Sequence, residues 1–525
     1  MRRAKVADAQ APKRTYGVRW HRLGFLVSFA SLCNVSSMPL AAYLSEPLPW
    51  QGALSPPQTY ANYTEFNTAY LERHQQRYSN ATLPTGTLYM CLSVYLLGLP
   101  GLIYYTKSQI DLLCRILTAP NTTLQHPEGS CYQNHLCSFT FGRSCLWLEP
   151  GDAISDPPAS SGVATLYFVN EAARHPLVVW LMLIYRICTT LFVWYRLWAH
   201  YYRHCTQLES LVRRCGHRNK MPSGSWSYEL VLGDPTAIVL LDPIVATLYY
   251  LDIWLSCTSF GTATMQVQAS ANVMSLLLGI TYLARSVWFA YWGLCLVSYV
   301  LKRWRKEQCF SEVDPTLVAI AVTLSGPIMT YLNGHVTIFV RFYQWLFDCL
   351  VPTDRQNEEV EGALVCFVFT LFTLNLPLVH GLVSARRRRH RNIDYSACTY
   401  NNFKSAVLLR LAAALRLTPL YPPRGGSIYE AMEANPRLKR SPTISLRGTD
   451  CFLLCYCDGE LTERLRLSLL TNVDGDLPRS TEPSEFVVYE LQSPSAGDCD
   501  AILGPQMSTS NSALRAPPDA SLWCI

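Results

Sequence analysis

The sequence predicts a mainly α fold: a multi-pass transmembrane helical bundle of about six spans, with a disulfide-bearing outer domain and a small α+β cytosolic tail module. Three observations carry that expectation. Only 16% of the 525 residues are charged while 50% are hydrophobic, well short of the roughly one quarter charged that soluble domains carry. The missing charge leaves apolar stretches of about twenty residues, each long enough to cross about 30 Å of hydrocarbon. Basic residues then gather at alternate boundaries of those stretches, the asymmetry that marks cytoplasmic loops. Such a composition excludes a wholly disordered or fibrous chain.

Residues 1–22 hold Arg2, Arg3, Lys5, Lys13, Arg14, Arg19 and Arg22 against a single acid, Asp8, and are assigned to the cytosol. The run 23–44 reads as span one or as a signal peptide: Ala41 and Ala42 suit a cleavage site, and Asn34 and Pro39 weaken the apolar run. Residues 45–174 are expected to form a glycosylated outer domain. Asn62, Asn80 and Asn121 each head an Asn-x-Thr acceptor. Cys114, Cys131, Cys137 and Cys145 are the disulfide candidates, and sequence does not rank their pairings. Leu88 to Tyr105 is apolar enough to span, yet a crossing there would turn the basic loop after Leu197 outward. With Pro100 set between Gly98 and Gly101, it reads as buried in the outer domain or lying in the membrane surface.

The bundle, 175–391, carries spans at 176–197, 236–257, 280–301, 316–333 and 362–385. Arg213, Arg214, Arg218 and Lys220 follow the first of these, Lys302 to Lys306 follow the third, and Arg386 to Arg391 stop the last. The loop before 362–385 is acidic instead, with Asp348, Asp354, Glu358, Glu359 and Glu361. The expected partner is the lipid bilayer, with anionic lipids at the Arg386 to Arg391 cluster. Because that cluster abuts a span, it is no nucleic-acid site. The chain is placed in the plasma membrane or the secretory pathway, both termini cytosolic.

Asp-Pro-Thr occurs before the second and fourth of these spans, at Asp234-Pro235-Thr236 and Asp314-Pro315-Thr316. An Asp at the N-cap accepts free backbone N–H groups, and Pro fits the first helical position. A second proline follows in each span, Pro243 and Pro327, so a two-helix repeat is read over 225–306 and 307–391. Paired prolines at matching positions of two repeats are where transporters build sites on broken helices, which makes Asp242, Pro243 and Pro327 the candidate transport site. Asp252 and Arg285 stand at equal depth near the outer ends of their spans and are read as an intramembrane ion pair, testable by exchanging the two charges.

Nothing in the chain spells a catalytic, cofactor or metal site. There is no nucleophile elbow, phosphate loop, dinucleotide turn or zincin helix. His200 and His204 share a helix face without a second histidine box, and read as a basic, interfacial helix end. Cys205, Cys215 and Cys309 lie beside bases near the membrane, where thiols are reversibly acylated.

In the tail, 392–492 is expected to be a cytosolic α+β module and 493–525 a disordered extension. Phe403, Val407, Leu411 and Leu415 recur at helical spacing. A short helix is expected over 427–434, strands near 443–447, 451–457 and 485–491, and a helix over 460–470. Trp523-Cys524-Ile525 has the character of a segment that adds to a sheet edge. The function expected from all this is a non-enzymatic receptor or scaffold whose tail meets a cytosolic protein partner. The alternative is a transporter or channel with its site between the repeat units, near Pro243 and Pro327.

Overall fold

The computed structural model describes residues 16–50, 176–216, 224–269, 273–336, 361–388 and 436–474, strands within 76–171, and short pieces around 338–345, 407–432 and 522–524. It is mostly helical, with a small mixed sheet at one end. Among the described residues, four helices are long and apolar enough to cross a membrane: Arg22–Leu44, Pro176–Arg214, Leu276–Arg303 and Cys366–Arg386. Pro243–Leu255 and Pro315–Thr330, on two further expected spans, are apolar but shorter.

Helix α1 (Arg22–Ala41) opens on His21, whose Nδ1 accepts from the Gly24 N–H at 3.1 Å. The long second helix comprises α2 (Pro176–Leu197), a π-helical turn (Trp198–Tyr202) and α3 (Arg203–Cys215), and it stops where Gly216 turns to φ 68°. The expected span 236–257 is broken instead of kinked. α4 (Thr236–Leu240) ends, and Asp242 caps a new helix, α5 (Pro243–Leu255), by accepting from the Ile244 and Val245 N–H groups. Pro243 thus occupies the first position of a helix, where its missing N–H costs nothing. Pro327 lies inside the unbroken α9, and the two prolines are not equivalent.

After α5 the chain continues through α6 (Cys257–Ala269), α7 (Val273–Leu283), a 3-10 turn at Ala284–Ser286, α8 (Val287–Arg303), α9 (Pro315–His335) and α10 (Glu361–Arg388). Asp314 caps α9 as Asp242 caps α5, bonding the Thr316 N–H at 2.8 Å. The core of the bundle is aromatic. Tyr249 stacks on Trp288 with centroids 3.9 Å apart, and Phe260 meets Phe369 edge to face at 5.0 Å. Such pairs add to the gain from burial.

The mixed sheet draws on four separate stretches of chain. Its order is β1 (Gly17–Trp20), β8 (Trp226–Val231), β9 (Cys451–Cys457), β10 (Glu460–Leu469) and β11 (Trp523–Cys524). β1 and β8 run parallel, and the other pairs are antiparallel. Residues 460–469, expected to be helical, are strand. Leu465, Leu467 and Leu469 alternate with Arg464, Arg466 and Ser468 at a period of two, and from Leu465 to Leu469 both faces of the strand are buried. The preceding Asp458 and Gly459, at φ 50° and 88°, form the two-residue loop that joins β9 to β10.

One face of α3 and the turn before it covers this sheet: Tyr201, Cys205, Leu208 and Val212 are fully buried against Tyr228, Leu230, Leu453 and Leu467. Burial there removes Cys205 from the residues open to acylation, whereas Cys309 is exposed. The tail segment docks on the loop before α9, where the Val313 N–H bonds the Thr443 carbonyl at 2.9 Å and the Ser445 N–H bonds the Val313 carbonyl at 3.0 Å. Inside the module, Asp450 accepts from Arg466 Nε and from the Tyr429 hydroxyl, each at 2.6 Å. Burial pushes the Asp450 carboxyl up, with Arg466 pulling the other way.

A second sheet, of order β2-β7-β6-β5, lies in the expected outer segment: β2 (Gln76–Ser79), β5 (Glu128–Leu136), β6 (Phe139–Pro150) and β7 (Ala164–Glu171). Within Leu88 to Tyr105, β3 (Tyr89–Met90) pairs with β4 (Tyr95–Leu96) as a short antiparallel ladder. Asn62, Asn80, Asn121, Cys114, Cys137 and Arg389 to Arg391 lie outside the described residues, as does the strand expected at 485–491.

Candidate functional site

Among the described residues, one polar site lies within the apolar bundle and a second at its junction with the mixed sheet. The first is a closed box of four charges at the end remote from the mixed sheet. Glu46 enters just after α1, Arg186 from the middle of α2, Asp252 from α5 and Arg285 from the 3-10 turn before α8. All four side chains are at most 4% exposed. Arg186 Nε donates to Asp252 Oδ1 at 2.8 Å, while its Nη1 and Nη2 reach the two Glu46 oxygens at 2.8 and 3.1 Å. Nη2 also bonds the Ser256 hydroxyl at 2.8 Å.

Arg285 pairs with the other oxygen of Asp252 and stands 3.7 Å from Glu46 Oε1. Tyr282 donates to that same Glu46 oxygen. The guanidinium of Arg186 lies over the Tyr43 ring and that of Arg285 over the Tyr282 ring, each 4.7 Å from the centroid. Charges sum to zero, each carboxylate meets both cations, and the aromatic faces cover the guanidinium planes. Desolvating an ion costs several kcal/mol, which only such dense pairing offsets.

The second site is a cavity of about 480 Å³ at the junction of the bundle with the mixed sheet. Arg196 and Arg440 bring positive charge to its wall, His200 adds an imidazole, and Asp242 is the one acid in the lining. Asp242 is already engaged: one oxygen caps α5 and the other pairs with Arg196. Arg440 is exposed and bonds only the Thr471 carbonyl with its guanidinium, at 3.4 Å. Trp292, Leu296 and Tyr299, along one face of α8, give the wall an apolar part. No cluster of three or more His, Cys, Asp or Glu side chains suited to a metal occurs among the described residues.

Compared with protein-family models, curated proteins and solved structures, the chain matches none.

The structure brings Asp252 and Arg285 into contact, and it adds two members that the sequence reading passed over. Arg186 had a legible signal: it is the single charge in the middle of an apolar run, where charge is costly and paired. Glu46 had none beyond its place directly after a span. Asp242 and Pro243 line the cavity, but Pro327 does not. His200 lines it as well, whereas His204 lies near Gln207, 3.3 Å from its side-chain oxygen, and gives its backbone carbonyl to Trp523. Trp523 is fully buried, and the terminal segment completes this chain's own sheet at β10.

Proposed function

We propose that the chain is a multi-pass integral membrane protein of about six spans that acts as a non-enzymatic receptor or scaffold, linking an outer domain to a cytosolic module. The parallel pairing of β1 with β8 supports the topology of this reading. Each strand hands the chain to a helix, α1 or α4, at the same end of one sheet. An even number of crossings must then separate β1 from β8, as α1 and α2 supply if Leu88 to Tyr105 does not cross. The tail strands β9 and β10 lie in that sheet too, so the N-terminus, the loop after α2 and the tail share one side. The bases around that sheet favour the cytosolic side.

Two shorter apolar helices, α5 and α9, would complete the six spans, α5 being prolonged by α6 beyond Ser256. In the outer segment, Cys131 faces Cys145 in the β5–β6 register. A transport site at Asp242 has less support, because its oxygens are committed to a helix cap and to Arg196.

The test is the full chain reconstituted in lipid vesicles. A scaffold gives no ion or solute flux, and its capture of a soluble partner survives Asp242→Asn. Flux through the wild type that Asp242→Asn abolishes would overturn the proposal.

A further inference from the structure

We infer that the cavity between α5, α8 and the mixed sheet is a binding site for one anionic phospholipid, its headgroup held by Arg196, His200 and Arg440 and an acyl chain lying between α5 and α8. The inference rests on the membrane reading above but not on a scaffold role. Position is the first argument. Arg196 lies in the last turn of α2, Pro243 is the first residue of α5, and Tyr299 is close to the end of α8. Arg196 is one residue from the end of the expected span 176–197 and Tyr299 two from the end of 280–301, so these two residues set the cavity near the boundary that faces the mixed sheet, while Pro243 lies seven residues inside 236–257.

Chemistry is the second. Arg196 Nε is buried at the cavity without a hydrogen-bond acceptor. Arg440 makes no ion pair among the described residues and has only one weak carbonyl contact for its guanidinium. Asp242 neutralises one cation, so the site keeps a positive surplus that a phosphodiester would satisfy by charge-assisted bonds.

The apolar part of the wall decides between a lipid and a free phosphate. Leu296 is 46% exposed and Tyr299 70% exposed, and together with Pro243 and Thr247 they form the outer surface of the bundle. The stack of Tyr250 on Trp292, with centroids 4.5 Å apart, floors the crevice between α5 and α8. A soluble anion gains nothing from this apolar half, whereas an acyl chain fills it. The volume lies in the range of small-molecule sites.

The experiment titrates delipidated, full-length protein in mild detergent with fluorescent phosphatidylserine or phosphatidylcholine, with inorganic phosphate as competitor. Phosphatidylserine should bind at least tenfold more tightly than phosphatidylcholine. Arg440→Gln should weaken it about fivefold, the share of one base near an anionic headgroup. Leu296→Trp, which fills the apolar half on an exposed position, should weaken both lipids while thermal unfolding stays unchanged. Arg386→Gln with Arg387→Gln should leave binding as it was. Equal affinity for the two lipids, displacement by phosphate as effective as by lipid, loss that follows the Arg386–Arg387 pair, or indifference to both cavity variants would each overturn the inference. Flux measurements bear on the scaffold reading alone, so the two can fail separately.

Discussion

Arg186 Nε donates to Asp252 Oδ1 at 2.8 Å, and this bond joins α2 to α5 where neither side chain meets water. The same guanidinium holds both oxygens of Glu46, so one residue ties together three separate stretches of the bundle. Arg186→Met would leave two buried carboxylates facing Arg285 alone. Breaking a buried pair by removing one partner costs about 3–5 kcal/mol, and thermal unfolding in detergent should show a loss of that order. A loss below about 1 kcal/mol, the median of exposed pairs, would mean that water enters the box.

Exchange of Asp252 and Arg285 is a poor test of their pairing once Arg186 is known. Asp252→Arg would place a cation against Arg186 whatever happens at position 285. The double exchange should therefore express no better than Asp252→Arg alone. Asp252→Asn combined with Arg285→Gln keeps polar groups in place and should retain more folded protein than either single change, as read by size-exclusion profiles.

Asp242 performs two separable tasks. Asn is as good an N-cap as Asp, so Asp242→Asn keeps the bonds to Ile244 and Val245 and loses only the charge pairing with Arg196, whose side chain is 28% exposed. Asp242→Ala also loses the cap, at about 0.5–2 kcal/mol more. Equal unfolding temperatures for the two variants would show that the cap contributes nothing.

Gly233 is where the segment before α4 presses on the tail. A Cβ there would stand 2.1 Å from the Asp450 carbonyl and 2.4 Å from that of Gly448, both backbone atoms unable to turn aside. Gly233→Ala should destabilise by at least the roughly 1–3 kcal/mol of ordinary overpacking, and should release the tail first. Limited proteolysis between residues 436 and 474 would reveal it, and an unchanged digestion pattern would contradict this contact.

Glycan mapping tests the outer segment. If Leu88 to Tyr105 does not cross, Asn121 and at least one of Asn62 and Asn80 stand on one face, and Asn→Gln at each modified site should shift glycosidase-sensitive mobility by one step. Modification of the upstream sites without Asn121 would call for a crossing there, against the β3–β4 ladder.

Apolar run length, basic clusters and cap chemistry are local properties, and they determined much here. They located the four long helices and the Asp314 cap that starts α9, because a cap acts on N–H groups two or three positions away, whereas the cap at Asp242 that starts α5 fell inside a span read as continuous. The strand at Cys451–Cys457 was legible for the same reason. Its partner β10 was also written locally, in the Asp458-Gly459 turn and the alternating leucines, but the helical spacing of Leu461 and Leu465 obscured it.

Only the tertiary structure decided which pieces meet. No local pattern in Gly17–Trp20 announces that it will pair with Trp226–Val231, and through that strand join Cys451–Cys457, because strand pairing is settled by packing across hundreds of residues. The charge box follows the same rule. A lone Arg186 in an apolar helix states that a partner is needed. That the partners are Glu46 and Asp252 depends on how three helices converge, a geometry set by the whole core.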